Sequence, residues 1–169
     1  MQNKEPLESH SSPLTSENSP LKIWIYQSNR ELSENEVTTL QEKLNAFVQD
    51  WTAHNLQLKA EAEILYKHFL LLKVDENIAS ASGCSIDKSV AFVTQMGAEM
   101  NVDWFDRWQF AYKDGETVKV VPKDDFQQLY ENGIIDDDTI VFNNLVNNSQ
   151  DMEEKWQVPL HQSWHKNFV

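Results

Sequence analysis

The chain has 169 residues, of which 40% are hydrophobic and 11% aromatic, enough to bury one good core or a core with a small appended unit. Its 27 Asp and Glu outnumber its 14 Lys and Arg and leave a formal net charge of −13. Such a charge repels nucleic-acid phosphates and anionic membrane surfaces. We therefore expect neither a nucleic acid nor a membrane among its partners.

The first 20 residues mix Gln, Asn, Glu, Ser and Pro and contain no apolar segment. This composition predicts a disordered leader at 1–20 that is neither a signal peptide nor a membrane anchor. The single cysteine cannot form an internal disulfide. The cytoplasm is therefore the expected location.

Two clear elements follow the leader. Residues 21–27 are apolar at nearly every position, which is typical of a strand buried on both faces. Ser33 followed by Glu36 forms a capping box, which marks the start of a helix. Apolar residues then recur at helical spacing until the chain breaks near His54. These residues are Val37, Leu40, Leu44, Phe47, Val48 and Trp51.

Residues 58–74 fit two patterns. A helical stripe runs through the segment, but charge alternation over 59–66 gives way to a solid apolar run at 69–72. We predict two antiparallel strands that turn near Lys67, although no Gly, Asn or Pro marks this turn.

The next elements are a second helix over 85–100 and an aromatic strand over 104–113. Asp114-Gly115 predicts a hairpin that returns as a strand over 116–121. Pro122 opens a short helix that contains Phe126, Leu129 and Tyr130 and ends at Asn132-Gly133. One more strand is predicted at 139–142, and the aromatic remainder is expected to lie irregularly across the domain.

The element order over 21–113 is that of an α+β ferredoxin-like fold, βαββαβ. In that topology the first and third strands are central, so 21–27 should pair antiparallel with 69–74. The topology places the loops that contain Trp51, His54 and Cys84 at one end of the sheet. It places Asn29, Arg30 and Asp103 at the other end.

Cys84 is the candidate catalytic residue. A thiolate there would be stabilised by the N-terminus of the second helix, with His54 as base and Asp87 or Asp75 orienting it. This geometry would make the protein a thiol-dependent enzyme.

The ordinary alternative explains the same residues without chemistry. Ser82 or Ser85 would cap the helix, Gly83 would adopt a positive φ, and Cys84 would be a small buried residue that reacts only on unfolding. We favour this alternative, because helix caps are far commoner than catalytic thiols.

Asn29 and Arg30 precede the first helix and are candidates to hold a carboxylate or phosphate, against the alternative of a solvated loop. Three consecutive carboxylates at 136–138 cannot all face one ion, and His161 and His165 lack a partner at zinc-site spacing. We expect no metal and no cofactor.

The segment 103–108 combines charged and aromatic residues. Strand alternation would place Trp104, Asp106 and Trp108 on one face, either buried or exposed together as a contact patch. We expect burial, because aromatic rings supply the largest apolar area.

Several segments after Pro20 resemble a family of short Bacteroidetes proteins that are often labelled ABC transporter ATPase. They are Trp24-Ile25-Tyr26-Gln27-Ser28-Asn29-Arg30, Trp51-Thr52-Ala53-His54, 81–87, Phe105-Asp106-Arg107, Phe142-Asn143-Asn144-Leu145 and Trp156-Gln157-Val158-Pro159. A Walker A loop needs two glycines five residues apart followed by Lys and Ser or Thr, and the four glycines of this chain provide no such pair. We therefore expect no ATP binding or hydrolysis.

The segment 108–145 is similar to small GYF-like modules, which contain a hairpin, a short helix that ends in Gly and a final strand. Val121-Pro122 stands where those modules usually have Gly-Pro, and the Gly-Tyr-Phe signature is absent. Some of these modules bind proline-rich peptides on aromatic surfaces. The resemblance makes four aromatic residues candidates for binding: Trp108, Tyr112, Phe126 and Tyr130.

We therefore predict a disordered leader at 1–20, a ferredoxin-like unit at 21–113 and a GYF-like extension with an aromatic tail at 114–169. The leading functional hypothesis is non-enzymatic binding of a protein or peptide. The alternative is the thiol-dependent enzyme built on Cys84 and His54.

Overall fold

A computed structural model describes residues 20–77 and 79–169, so the predicted leader lies outside the described residues except for Pro20. The chain is an α+β protein. Among these residues no helix is both long and apolar enough to cross a membrane. The strands are β1 (Lys22–Gln27), β2 (Thr52–Ala53), β3 (Leu56–Gln57), β4 (Lys59–Leu65), β5 (Phe69–Asp75), β6 (Gln109–Asp114), β7 (Thr117–Pro122), β8 (Ile140–Phe142) and β9 (Gln157–Pro159). The α-helices are α1 (Glu34–Asp50), α2 (Gly83–Met100), α3 (Lys123–Glu131) and α4 (Ser149–Lys155).

The first sheet has the strand order β1-β5-β4 and is antiparallel throughout. Lys22 lies opposite Val74 and Gln27 lies opposite Phe69, so the predicted pairing of the first and third strands is confirmed. The prediction of two strands over 58–74 is also confirmed. β5 is the continuously apolar strand and takes the buried central position, as its composition requires.

The turn between β4 and β5 uses residues that seldom form such turns. Tyr66 and Lys67 have φ values of 53° and 57°, a region that favours Gly, Asn and Asp. Backbone contacts hold the turn: Leu32 N–H donates to the Lys67 carbonyl at 2.9 Å and Ser28 N–H to the His68 carbonyl at 2.8 Å. Tertiary structure therefore imposes the turn that local sequence did not mark.

The predicted fourth strand of the first sheet is wrong. The strand expected at 104–113 begins only at Gln109 and belongs to a second antiparallel sheet with the order β7-β6-β8-β9. β6 has β7 on one side and β8 on the other, so it has no free edge for β1. Beside β1, Ile23 N–H instead donates to the Asn147 carbonyl at 2.9 Å, and Ser149 N–H donates to the Leu21 carbonyl at 3.0 Å.

The two sheets pack face to face between helices. Strand alternation directs Leu70 and Leu72 of β5 toward α1 and α2, and Phe69 and Leu71 toward the second sheet. The buried layer between the sheets consists of Ile23, Phe69, Leu71, Ala111, Val118, Phe142, Val146 and Trp156. The outer face of the second sheet packs on α3 and the C-terminal segment through Phe110, Tyr112, Phe126, Ile135, Val141, Val158 and Leu160.

The C-terminal segment is more regular than predicted. It forms α4, β9 and two 3₁₀ turns at Leu160–Gln162 and Trp164–Phe168. β9 pairs with β8, so the segment completes the second sheet. A three-residue strand gives too short a hydrophobic pattern to stand out in an aromatic-rich sequence.

Candidate functional site

Arg30 binds a carboxylate of its own chain. Its Nη1 and Nη2 donate to Glu36 Oε1 and Oε2 at 2.9 and 2.7 Å, and Nη2 also donates to the Met100 carbonyl at 2.6 Å. The Arg30 guanidinium and the Ser33 N–H lower the pKa of Glu36 to about 2. Glu36 is also the acidic member of the predicted capping box, which the structure confirms. Arg30 therefore fixes the start of α1 against the end of α2.

Asn29 joins the same end of the sheet to the loop after α2. Its Oδ1 accepts the Asp103 N–H at 3.0 Å, so the predicted proximity of Asn29, Arg30 and Asp103 is confirmed. An open hollow of about 310 Å³ lies here, and Gly97 and Trp104 are among the residues that line it. Trp104 is buried, and its Nε1 has no hydrogen-bond partner among the described residues.

Cys84 lies at the end of the first sheet opposite Asn29 and Arg30. The side chains of Ser82 and Ser85 form a capping box, so the predicted cap of α2 is confirmed. Two details of that prediction are wrong: Gly83 has no positive φ, and Cys84 is exposed rather than buried. Cys84 is the second residue of α2. Its neighbour Ser85 faces the core and is buried, so Cys84 faces solvent.

The loop after α1 does approach this helix start. Trp51 Nε1 donates to the Ser85 carbonyl at 2.8 Å, which confirms that the two loops share one end of the sheet. His54 lies in the tight turn between β2 and β3 with a φ of 51°, and its side chain is exposed. No hydrogen bond among residues 20–77 and 79–169 joins His54 or Asp87 to Cys84.

The second predicted orienting residue has other partners. Asp75 is buried, and its Oδ1 accepts the Asn77 N–H at 3.0 Å. Its Oδ2 lies 3.7 Å from Lys59 Nζ. Asp75 thus stabilises the end of β5 and the edge of the first sheet.

The four aromatic candidates divide by burial. Tyr112 and Phe126 are buried core residues that pack under the C-terminal segment. Tyr130 is half-buried and its hydroxyl donates to Asp137 Oδ1 at 2.8 Å, which raises the pKa of Tyr130. Trp108 is 57% exposed and is the one of the four that presents a large apolar face to solvent.

The loop before β6 orients its aromatic rings by side-chain capping. Asp103 Oδ1 accepts the Phe105 N–H at 2.9 Å, and Asp106 Oδ1 accepts the Trp108 N–H at 3.0 Å. These two Asx turns replace the expected strand, so Trp104 is buried while Phe105 is 42% and Trp108 57% exposed. The expectation that Trp104 and Trp108 share a buried face is therefore wrong.

The Trp108 ring packs against two neighbouring side chains. Lys123 Nζ lies 5.2 Å from the centre of the Trp108 ring, and the Phe168 ring packs edge-on at 6.0 Å. The Lys123 N–H donates to the Trp108 carbonyl at 2.8 Å. These contacts cover part of the indole, and the rest of the side chain stays exposed.

We call the aromatic surface the set Arg107, Trp108, Lys123 and Phe168. Arg107 directly precedes Trp108 and is also exposed. The Phe105 ring instead packs against the Tyr26 ring at 5.5 Å and lines the hollow near Asn29. Aromatic residues and Arg are the types enriched where protein interfaces concentrate their binding energy.

Comparison of the chain with protein-family models, with curated proteins and with solved structures found no match.

Proposed function

We propose that the protein is a protein- or peptide-binding module and that the aromatic surface is its contact surface. The observation that supports this most is the exposure of Trp108 while its ring packs against Lys123 and Phe168. An exposed indole loses less side-chain freedom on binding when its neighbours already pack against it, so more of the contact energy remains as affinity. The module has no catalytic step in this proposal.

We further propose that the C-terminal part is GYF-like and takes a proline-rich segment. The order of hairpin, α3 and β8 agrees with such a module, and α3 is followed by Gly133 with a φ of 71°. A proline-rich segment is already extended before it binds, and its rings pack on aromatic faces. We also propose that the chain is related to the short Bacteroidetes proteins and that it is located in the cytoplasm.

A fluorescein-labelled decaproline peptide tests this function by fluorescence anisotropy. We expect saturable binding, and we expect Trp108→Ala to weaken it at least tenfold. A fully engaged aromatic anchor contributes about 2 kcal/mol or more, and 1.4 kcal/mol corresponds to a factor of ten.

Leu56→Ala is the matched control, because Leu56 is also 57% exposed but lies in β3. It should leave the affinity within twofold of the unchanged protein. The proposal is wrong if decaproline does not bind at millimolar concentration, or if Trp108→Ala binds it as tightly as the unchanged protein.

The alternative of a thiol-dependent enzyme is tested by alkylation of Cys84. Because Cys84 is exposed, iodoacetamide should modify the native protein completely without denaturant. His54→Ala should leave the rate within twofold, because no hydrogen bond between described residues joins the two side chains. Mass spectrometry reports on this site alone, since the chain has a single cysteine.

A tenfold slower alkylation of the His54→Ala variant would instead support the enzyme alternative. It would mean that the imidazole activates the thiol in solution.

A further inference from the structure

The outer edge of the first sheet is formed by β4. Because His68 N–H donates to the Leu65 carbonyl at 3.1 Å, Leu65 faces β5 along the hydrogen-bonding direction. Hydrogen-bonding direction alternates along a strand, so Glu63, Glu61 and Lys59 also face β5. The backbone groups of Ala60, Ala62 and Ile64 therefore point away from the sheet.

One of these outward groups has a partner within the described residues. Gln41 Nε2 of α1 donates to the Ala62 carbonyl at 3.0 Å. Among the described residues, no hydrogen bond involves the carbonyl groups of Ala60 and Ile64. None involves the N–H groups of Ala60, Ala62 and Ile64 either. An edge of this kind is a template for one more strand.

The side chains on this edge carry an excess of negative charge. Glu61 and Glu63 lie on one face of β4, each 43% exposed, at 3.8 and 2.7 Å from the same ammonium group of Lys73. Lys73 therefore faces two carboxylates. Lys59, on the same face of β4, lies 3.7 Å from the buried Asp75, so this group has three carboxylates and two ammonium groups. The net charge of −13 attracts a cationic partner to the molecule in general, and Glu61 and Glu63 offer it a specific position.

A second copy of the chain fits this edge less well than a cationic strand. The antiparallel register that overlaps two β4 strands in full would place Glu61 of one copy opposite Glu63 of the other, and like charges across a strand pair are destabilising. Registers that bring Lys59 opposite Glu61 or Glu63 overlap fewer residues of the two strands. An incoming strand with Lys or Arg at alternate residues would place its cations beside both carboxylates instead.

We propose that β4 binds an extended cationic segment of a partner protein as an added antiparallel strand, with Lys or Arg at alternate positions. In this register the residues between the cations lie opposite Ala60, Ala62 and Ile64 and exchange backbone hydrogen bonds with them. The site is independent of the aromatic surface.

The test uses a fluorescein-labelled, end-blocked peptide of alternating valine and lysine, seven residues long and beginning and ending with valine. Fluorescence anisotropy should detect binding at submillimolar concentration, and a peptide with Glu in place of Lys should bind at least tenfold more weakly. Methylation of the valine backbone nitrogens should also weaken binding at least tenfold, because those amides face β4. Methylation of the lysine backbone nitrogens is the matched control and should have the smaller effect.

The protein variants test the charges. Glu61→Gln combined with Glu63→Gln should weaken binding at least tenfold. Glu116→Gln combined with Glu131→Gln removes the same charge from exposed positions elsewhere and should change it less than threefold. Trp108→Ala should leave this binding unchanged, so failure of this site and failure of the proposed function are distinguishable.

Three results would overturn the proposal. They are absence of binding at millimolar concentration, equal binding of the valine-methylated and unmodified peptides, and an equal loss for the two pairs of Glu variants. Circular dichroism of each variant verifies that the fold is retained.

Discussion

Replacing Phe69 with alanine is expected to lower the free energy of unfolding by about 3–5 kcal/mol, the range for removing a buried Phe side chain. Phe69 is fully buried between the two sheets. Its ring lies 4.8 Å from that of Phe142 and 5.1 Å from that of Trp156. The cavity would be bounded by two rigid sheets, which limits how far the surroundings can relax.

Urea denaturation followed by far-ultraviolet circular dichroism measures this effect. Leu145→Ala is the control, because Leu145 is 73% exposed and should change the free energy of unfolding by no more than about 0.5 kcal/mol. A loss below about 1 kcal/mol for Phe69→Ala would contradict the face-to-face packing of the sheets.

Stability is expected to fall as the pH decreases from about 6.5 to about 4, chiefly because of His165. This residue of the C-terminal segment is buried against the second sheet, where its ring stacks on Trp164 at 3.8 Å and packs against Phe110 at 5.1 Å. Burial lowers its pKa to about 4. Burial also lowers the pKa of His68, which acts in the same direction.

The direction follows from proton linkage. Between the two pKa values the unfolded chain binds a proton that the folded protein excludes, so stability rises with pH in this window. The contribution of His165 is about 1.4 kcal/mol per pH unit and about 3 kcal/mol across the window. Glu36 affects stability at lower pH. Its carboxylate stabilises the fold above the pKa of an ordinary Glu, and this contribution is lost as the pH falls toward its own pKa of about 2.

Urea denaturation at several pH values tests this expectation. His165→Gln should flatten the dependence of stability on pH between 6.5 and 4. His161→Gln removes a partly exposed imidazole four residues earlier and should preserve the slope. If both variants retain the full slope, another group is responsible.

The parts of the fold that local sequence predicted share a strong physical signal. The capping box at Ser33 and Glu36, the apolar run of β5 and the Asp114-Gly115 hairpin each depend on neighbouring residues, and each is present. The assignment of β6 to the first sheet was wrong because sheet membership depends on long-range pairing. Nothing in the sequence of β6 states whether β1 or β8 will be its neighbour.

The candidate site was predictable to a similar extent. Helix capping at Ser82 and Ser85 and the shared position of Asn29 and Asp103 followed from sequence and topology. The exposure of Trp108 did not, because two Asx turns break the alternation on which the burial argument depended. An Asp two residues before an aromatic residue, twice in succession, was the available signal.

The unusual backbone of Tyr66 and Lys67 has a consequence for how the protein is made. The Tyr66 hydroxyl accepts a hydrogen bond from Gln157 Nε2 at 3.1 Å, and the Tyr66 ring packs against Phe142 and Trp156. These partners are translated long after the hairpin that they support. While Trp156 and Gln157 remain inside the ribosome, the buried layer between the sheets lacks the Trp156 ring, and chains with such incomplete packing are prone to aggregate.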